Sequence, residues 1–209
     1  MKLLHIDASI TGTASVSRQL SAAIVDAASE AVPNLGLVRR DLDADPIPHL
    51  DSRALPSVRP TGETAQPDGE AARNAAILQE FLDADVVVIG APMYNFTIAS
   101  QLKAWIDRIL VAGKTFRYTE NGPQGLAGGK KVIIASTRGG LYAPATPNAS
   151  ADFQEPYLRT IFHFIGIEDV TIVRAEGVAF GPRQRQAALD AALAAAPGVV
   201  AGFAKAMAA

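Results

Sequence analysis

The 209-residue sequence contains no cysteine, which excludes disulfides, thiol catalysis and cysteine-ligated metal sites. Its 19 lysines and arginines are balanced by 21 aspartates and glutamates, and no strongly basic face is visible, so we expect no nucleic-acid partner. No apolar run reaches the roughly 18 residues that a membrane-spanning helix needs, and we expect no membrane association. The start, Met1–Asp7, becomes polar too soon for a signal peptide, so we expect a cytoplasmic protein.

Motifs of several common ligand sites are also missing. The first predicted strand is not followed by the G-x-G-x-x-G fingerprint of Rossmann dinucleotide-binding domains. Gly113-Lys114-Thr115 imitates the end of a P-loop, but Arg108 stands where the first glycine of that motif belongs. No group of histidine, aspartate and glutamate has the spacing of metal ligands, so we expect no metal site. A nucleotide-binding hydrolase therefore lacks support.

Strands and helices alternate along a chain of ordinary globular composition, with 49% hydrophobic and 19% charged residues. No linker separates two cores, so we expect one domain over residues 1–209. Apolar runs predict strands at about Lys2–Asp7, Leu35–Asp41, Val86–Gly90, Lys130–Ser136 and Val170–Ala175. Helices are predicted at about Ser17–Ala31 and Glu70–Leu82, from Ile98 to about Ala112, at Gln154–Gly166 and in the C-terminal segment, with a break at Pro197-Gly198.

Five parallel strands joined by right-handed crossovers place helices on both faces of the sheet. We therefore predict an α/β fold with a doubly wound, five-stranded parallel sheet in the flavodoxin-like order 2-1-3-4-5. The switch point of that order lies between strands one and three, and ligands bind there at the carboxyl ends of the strands. The loops after strands one, three and four should consequently meet around one crevice.

The loop after the first strand, Ala8–Ser17, is rich in hydroxyl groups and leads into a predicted helix. Ser9 and Ser15–Ser17 offer hydroxyl and backbone N–H donors at a helix N-terminus, an arrangement that favours a phosphate. The loop has no lysine, although Arg18 follows it. An ordinary N-cap with serine-rich filler explains the same residues equally well.

The other two loops offer groups suited to a planar ring. In Pro92–Phe96, packing at a strand end explains Met93 and Phe96, but Asn95 indicates a specific hydrogen bond. After strand four, the adjacent Gly139 and Gly140 let a ligand approach the backbone, whose N–H groups can donate to a ring carbonyl. Arg138 provides either charge for the ligand or a partner for an acidic residue.

These motifs resemble those of the FMN-dependent NADH:azoreductases, which are also NAD(P)H:quinone reductases, in the flavodoxin-like superfamily. Ala99 and Thr137 depart from the pattern, because many members have proline and serine there. The resemblance covers nearly the whole chain and is carried by Arg40-Asp41-Leu42, Pro46-Ile47-Pro48, Ala91–Phe96, Gln101-Leu102-Lys103, Thr115–Pro123, Arg138-Gly139-Gly140, Pro156-Tyr157-Leu158, Phe164–Ile167 and Ala175-Glu176-Gly177.

The resemblance implies bound FMN and ping-pong transfer of two electrons from NADH or NADPH to quinones and azo compounds. Tyr118 and Phe164 would shape a substrate pocket that a second subunit completes, which implies a homodimer with a shared active site. Because the cofactor carries the hydride chemistry, no catalytic side chain is expected. The implied cofactor-binding residues are Ser9, Ser15, Val16 and Ser17 for the phosphate, Met93, Tyr94, Asn95 and Phe96 for the ring, and Thr137, Arg138, Gly139 and Gly140 for its pyrimidine end.

A flavodoxin-like electron carrier that binds FMN but does not itself react with NAD(P)H is the main alternative. A flavodoxin is usually shorter and more acidic than this chain. The proline-rich stretch at 43–69 and the predicted hairpin Thr115–Leu126 also resemble pocket walls, which a carrier does not need. The segment Leu141–Asp152 matches no pattern and is expected to form part of the pocket rim.

Overall fold

The computed structural model describes residues 1–52, 54–55 and 69–207, with side chains to residue 202. Its strands are β1 (Lys2–Asp7), β2 (Gly36–Asp41), β3 (Val86–Tyr94), β4 (Thr97–Ile98), β5 (Phe116–Thr119), β6 (Gly122–Gly125), β7 (Lys131–Thr137) and β8 (Asp169–Ala175). Five of them form a parallel sheet in the order β2-β1-β3-β7-β8. The predicted order 2-1-3-4-5 is confirmed, because β4, β5 and β6 lie off that path. Residues 53 and 56–68 of the proline-rich stretch at 43–69 lie outside the described residues.

Helices cover both faces of the sheet, as a doubly wound fold requires. They are α1 (Val16–Ala31), α2 (Gly69–Asp83), α3 (Ser100–Ile109), α4 (Glu155–Phe164) and α5 (Pro182–Met207). Side chains alternate across a strand, so Val87 and Ile89 of β3 pack with α2, α3 and α4, whereas Val86 and Val88 pack with α1 and α5. The predicted fold class is therefore confirmed. No helix in the described residues is both long and apolar enough to cross a membrane.

Two element ends differ from the sequence prediction by three residues or more, because tertiary contacts override local signals. Strand β3 continues past Gly90 to Tyr94, since Met93 pairs with Ile98 and Tyr94 with Thr97 after a reversal of the chain. Helix α3 ends at Ile109, short of the predicted Ala112. The Thr115 hydroxyl donates to the Ile109 carbonyl at 2.7 Å, so the following segment caps the helix instead of extending it.

The predicted break at Pro197-Gly198 is wrong, because α5 runs through Pro197. A proline inside a helix removes one backbone hydrogen bond and usually kinks or ends it. Packing compensates here, since the buried stripe of α5 continues on both sides of the proline. The stripe consists of Leu189, Ala192, Ala196 and Val200, which pack in one cluster with α1.

The predicted hairpin is present, with β5 and β6 antiparallel and Thr119 paired with Gly122. The hairpin packs closely against the end of α4. A Cβ atom on Gly125 would lie 2.2 Å from the backbone nitrogen of Gly166, so only glycine fits there. Phe116 of the hairpin packs on Phe164, with ring centroids 4.8 Å apart.

Candidate functional site

The loops after β1, β3 and β7 meet at the carboxyl edge of the sheet around a cavity of about 230 Å³. This is the crevice that the topology predicts. Thr11, Ala14 and Pro92 also line it, together with Val178 and Arg185, which follow β8 and which the sequence did not indicate. The predicted site residues in its lining are Ser9, Ser15, Val16, Met93, Tyr94, Thr137 and Gly139.

Two larger cavities lie elsewhere in the described residues. One of about 400 Å³ lies at the opposite edge of the sheet, beside Lys2 and Gly36, and its walls are mostly apolar. The other, of about 520 Å³, includes Arg18 and Asp41, which are already paired with each other. Of these three cavities, only the one of about 230 Å³ is lined by the loops after β1, β3 and β7, so it is the candidate site.

The N-terminus of α1 presents donors to this cavity. Ser15 is the N-cap, and its hydroxyl oxygen accepts a hydrogen bond from the backbone N–H of Arg18 at 3.2 Å. Ser17 is fully buried, with its hydroxyl 3.0 Å from that of Ser15. Ser15 thus caps the helix, as the sequence allowed. It leaves the N–H groups of Val16 and Ser17 without intrahelical acceptors at the positive end of the helix dipole.

Hydrogen bonds join the first loop to the second. The hydroxyl of Ser9 lies 3.1 Å from that of Tyr94 and 3.0 Å from that of Thr11. The backbone N–H of Ile10 donates to the Tyr94 oxygen at 3.2 Å. The expected phosphate loop and ring loop therefore share one polar network.

The second loop is a two-residue turn between β3 and β4. Asn95 and Phe96 have φ angles of 48° and 72°, a left-handed pair typical of a type I′ hairpin turn. Asparagine tolerates this region, whereas phenylalanine rarely adopts it, so Phe96 is strained. Its exposed ring meets Tyr142 edge-on, with centroids 6.2 Å apart.

The backbone conformation at position 95 offers a second reason, besides a contact with a ligand, why asparagine stands there. Its side chain is exposed and has no hydrogen-bond partner among the described residues. The amide is thus free to meet a ligand, and the predicted contact with a cofactor stays a prediction. Asparagine would also be favoured at this position simply because it adopts positive φ more readily than most residues.

The third loop leaves backbone N–H groups available. The carbonyls of Arg138, Gly139 and Gly140 accept hydrogen bonds from Val178, Ala179 and Gly177, respectively, at 2.9 to 3.1 Å. Within the described chain, the N–H groups of the two glycines have no acceptor. A Cβ atom on Gly140 would lie 3.1 Å from the Tyr142 ring, so close packing also favours glycine there.

Arg138 turns its side chain away from the cavity. Its guanidinium is 1% exposed and contacts the carboxylates of Asp152, Glu155 and Glu176 at 2.8, 2.5 and 3.1 Å. Of the two functions that the sequence allowed, the structure shows pairing with acidic residues. Burial alone would raise the pKa of Glu155, but Arg174 and Arg138 outweigh it and hold that pKa below its usual value. Arg138 therefore helps to hold both ends of the segment 141–152, through Asp152 and through Glu176, which also accepts a hydrogen bond from the Tyr142 N–H.

The side chain of Arg18 is likewise bonded to other residues of the protein. Its guanidinium bonds both oxygens of Asp41, at 2.6 and 2.7 Å, and its Nε and Nη2 donate to the Ser9 carbonyl at 3.1 and 2.7 Å. The hydrogen bond from Arg18 lowers the pKa of Asp41 to about 2. Arg18 thus holds the backbone of the first loop in place and is not part of the cavity lining.

Tyr118 and Phe164 lie apart from the cavity of their own chain. Tyr118 is 75% exposed and meets Phe116 edge-on, with centroids 5.6 Å apart, and Phe116 packs on Phe164. Phe164 ends α4, whose first residue, Glu155, contacts Arg138. Neither Tyr118 nor Phe164 is among the residues that line the cavity.

Comparison with known proteins places the chain among related sequences. A family described as having a flavodoxin-like fold matches residues 1–197. A protein of Xanthomonas oryzae pv. oryzae named FMN-dependent NADH:quinone oxidoreductase is 58% identical over 194 residues, covering 93% of this chain and 94% of the relative. A protein of the same name from Stenotrophomonas maltophilia is 57% identical over 198 residues, covering 94% and 95%.

Solved structures agree with this placement. A crystal structure of the azoreductase AzrA superposes with a TM-score of 0.87 at 31% identity, covering 97% of this chain and 100% of that one. An FMN-dependent NADH-azoreductase from Bacillus anthracis str. Ames Ancestor, solved in complex with FMN, also gives 0.87, at 30% identity, with coverage of 97% and 99%.

Proposed function

The chain belongs to the family with a flavodoxin-like fold, and from this premise we propose that it is an FMN-dependent NADH:quinone oxidoreductase that also reduces azo compounds. The single observation that carries the proposal is the cavity where the loops after β1, β3 and β7 meet. The names of the relatives support FMN as cofactor and NADH as donor. We propose one FMN-binding domain over residues 1–209.

The donor groups of the cavity fit FMN. A phosphate ester needs several hydrogen-bond donors and positive potential. The free N–H groups of Val16 and Ser17 at the start of α1 would provide them together with the Ser9 hydroxyl, and of these residues Ser9 and Val16 line the cavity. The ring of FMN has carbonyl and imine acceptors on one edge. The free N–H groups of Gly139 and Gly140 suit that edge, while Met93 supplies apolar surface.

Bound FMN would supply the redox chemistry, taking a hydride from NADH and passing two electrons to the acceptor. The overall reaction converts NADH, a proton and a quinone into NAD⁺ and a hydroquinone, so atoms and electrons balance. The protein's part is placement. Tyr94 and Ser9 hold the two loops against each other, and Arg18 fixes the Ser9 backbone. No side chain is required to bond covalently with the substrate.

We propose that donor and acceptor use one pocket in turn, so that turnover is ping-pong, and that a homodimer forms this pocket. The exposed aromatic side chains support the dimer. Tyr118, Phe153 and Phe180 are each at least 60% exposed, and aromatic side chains are enriched at interfaces between protein subunits. Because Tyr118 is exposed and does not line the cavity of its own chain, it would overlook the cavity of a second copy.

Two measurements on the purified protein test the proposed function. Acid release of the cofactor followed by chromatography should yield FMN, and recovery of FAD would contradict the proposal. Steady-state oxidation of NADH should require a quinone or an azo dye. An electron carrier would contain the flavin but would not oxidise NADH at a comparable rate. Comparing NADH with NADPH in the same assay identifies the preferred donor.

A further inference from the structure

Arg185 is the one charged residue among the described residues that line the cavity. It lies in the first turn of α5, and its backbone N–H donates to the Gly181 carbonyl at 2.9 Å. Its guanidinium Nη2 donates to the carbonyl of Ala14, the residue directly before the N-cap of α1. The fold thus places the Arg185 guanidinium at the start of α1, where a phosphate would bind, although 171 positions separate Arg185 from Ala14.

The nearby arginines cannot take this function. The guanidinium of Arg18 donates its hydrogen bonds to Asp41 and to the Ser9 carbonyl. Arg138 is buried among three carboxylates. A guanidinium has five N–H donors, and among the described residues that of Arg185 has Ala14 as its one acceptor. No carboxylate in this part of the chain pairs with it, so most of its donors and its charge are available to a ligand.

We propose that Arg185 is the cationic partner of the phosphate of FMN. The inference rests on the proposed function and adds a residue to its cofactor site. A phosphate monoester carries roughly 1.5 to 2 negative charges at pH 7, while a helix N-terminus provides only about half a positive charge. A guanidinium fits the remaining charge and can bond two phosphate oxygens at once. Arg185 therefore favours FMN over riboflavin, which has the same ring and no phosphate.

A structural function for Arg185, without any contact to the phosphate, predicts different effects of substitution. If Arg185 only holds the Ala14 carbonyl, a neutral donor can replace it, and any loosening of the loop affects every ligand of the cavity. If it contacts the phosphate, loss of its charge weakens FMN alone. The chain also offers a matched control in Arg183, which lies in the same helical turn, is exposed and has no bonded partner in the described residues.

The test measures dissociation constants of apoprotein for FMN and riboflavin by fluorescence titration. In Arg185→Gln, which keeps an amide donor for Ala14, the FMN dissociation constant should rise roughly five- to tenfold, while that for riboflavin stays within twofold. Arg185→Lys should recover part of the FMN affinity, and Arg183→Gln should change neither constant. Added potassium chloride should weaken FMN binding more in the wild type than in Arg185→Gln. Salt screens the attraction between the guanidinium and the phosphate, which the variant lacks.

Three results would overturn the inference. Equal weakening of FMN and riboflavin in Arg185→Gln would make Arg185 a structural contact only. An unchanged FMN constant would show that the guanidinium faces elsewhere, and a changed Michaelis constant for NADH in that case would assign it to the donor. Wild-type apoprotein that binds neither flavin would reject the proposed function itself, a failure distinct from one confined to the Arg185 variants.

Discussion

The hydroxyl oxygens of Ser9 and Tyr94 lie 3.1 Å apart, although the two residues are 85 positions apart in the chain. Ser9 follows β1 and Tyr94 ends β3, so this contact crosses the switch point of the sheet. Ser9 is almost fully buried, which shields its hydrogen bonds from water. The contact therefore sets the relative position of the two loops that would hold the phosphate and the ring.

Tyr94→Phe should weaken FMN binding, because the substitution removes the hydroxyl that Ser9 and the Ile10 N–H contact. The expected loss is roughly 0.5–1.5 kcal/mol, the usual net value of one hydrogen bond. Flavin titration of the apoprotein measures it. Tyr157→Phe, on α4, serves as a control for loss of a phenol oxygen outside the cavity lining. Identical FMN constants for both variants would show that the bond between the loops does not matter for the cofactor.

Asn95→Ala should also weaken FMN binding, by roughly 0.5–1.5 kcal/mol if its amide contacts the flavin. The positive φ of Asn95 complicates this test, because alanine is strained there whatever the side chain contacts. Asn95→Gly separates the two causes, since glycine adopts positive φ freely. We expect both variants to bind FMN more weakly. Wild-type affinity in Asn95→Gly would mean that the turn, and not the amide, explains the asparagine.

Tyr118→Ala should alter the Michaelis constants of bulky acceptors more than it alters FMN content. Tyr118 is exposed on the hairpin and lies outside the three loops, so its loss should change the shape of the proposed shared pocket and spare the cofactor site. Kinetics with a small quinone and a bulky azo dye, alongside flavin stoichiometry, provide the comparison. Equal effects on both acceptors, or a fully active monomer by light scattering under assay conditions, would reject the shared pocket.

The pair of Arg18 and Asp41 should make stability depend on pH in acid. The pKa of Asp41 is lowered to about 2 in the folded chain, so its contribution is complete above the unfolded pKa of 3.8 and disappears as the pH falls toward 2. Because Asp41 is partly exposed, the contribution is at most about 1 kcal/mol. Wild type and Asp41→Asn should therefore differ in free energy of unfolding at pH 7 and converge near pH 2.

Urea unfolding at several pH values between 7 and 2.5 measures this convergence. Asp26→Asn is a suitable control, because Asp26 is exposed on α1 and has no bonded partner in the described residues. A gap between wild type and Asp41→Asn that stays constant over this range would show that the Arg18 pair does not stabilise the ionised carboxylate.

The sequence was sufficient to predict the sheet and the meeting of the three loops. Buried strands such as β3 appear as apolar runs, and the order of such strands fixes which carboxyl ends are neighbours. The direction of Arg138 could not be predicted, because its partner Glu176 lies 38 positions away and a local pattern cannot choose between a ligand and a distant carboxylate.

Arg185 was missed for the same reason. Its sequence neighbours indicate only an exposed helix start, and its position at the cavity depends on how α5 packs against α1. The left-handed conformation of Asn95–Phe96 could not be predicted for a different reason, since a phenylalanine at positive φ contradicts its local preference. Strain of this kind arises where the rest of the structure imposes it, and no propensity reveals it.

The proposed function requires the protein to accept electrons from NADH on bound FMN and to pass them to a quinone. Its most direct test is spectroscopy of the holoprotein without oxygen, in two separate steps. One equivalent of NADH per FMN should bleach the visible flavin absorption, and after removal of NAD⁺ one equivalent of quinone should restore it. Flavin that dithionite bleaches and quinone restores, but that NADH leaves oxidised, would contradict the proposed function and identify an electron carrier.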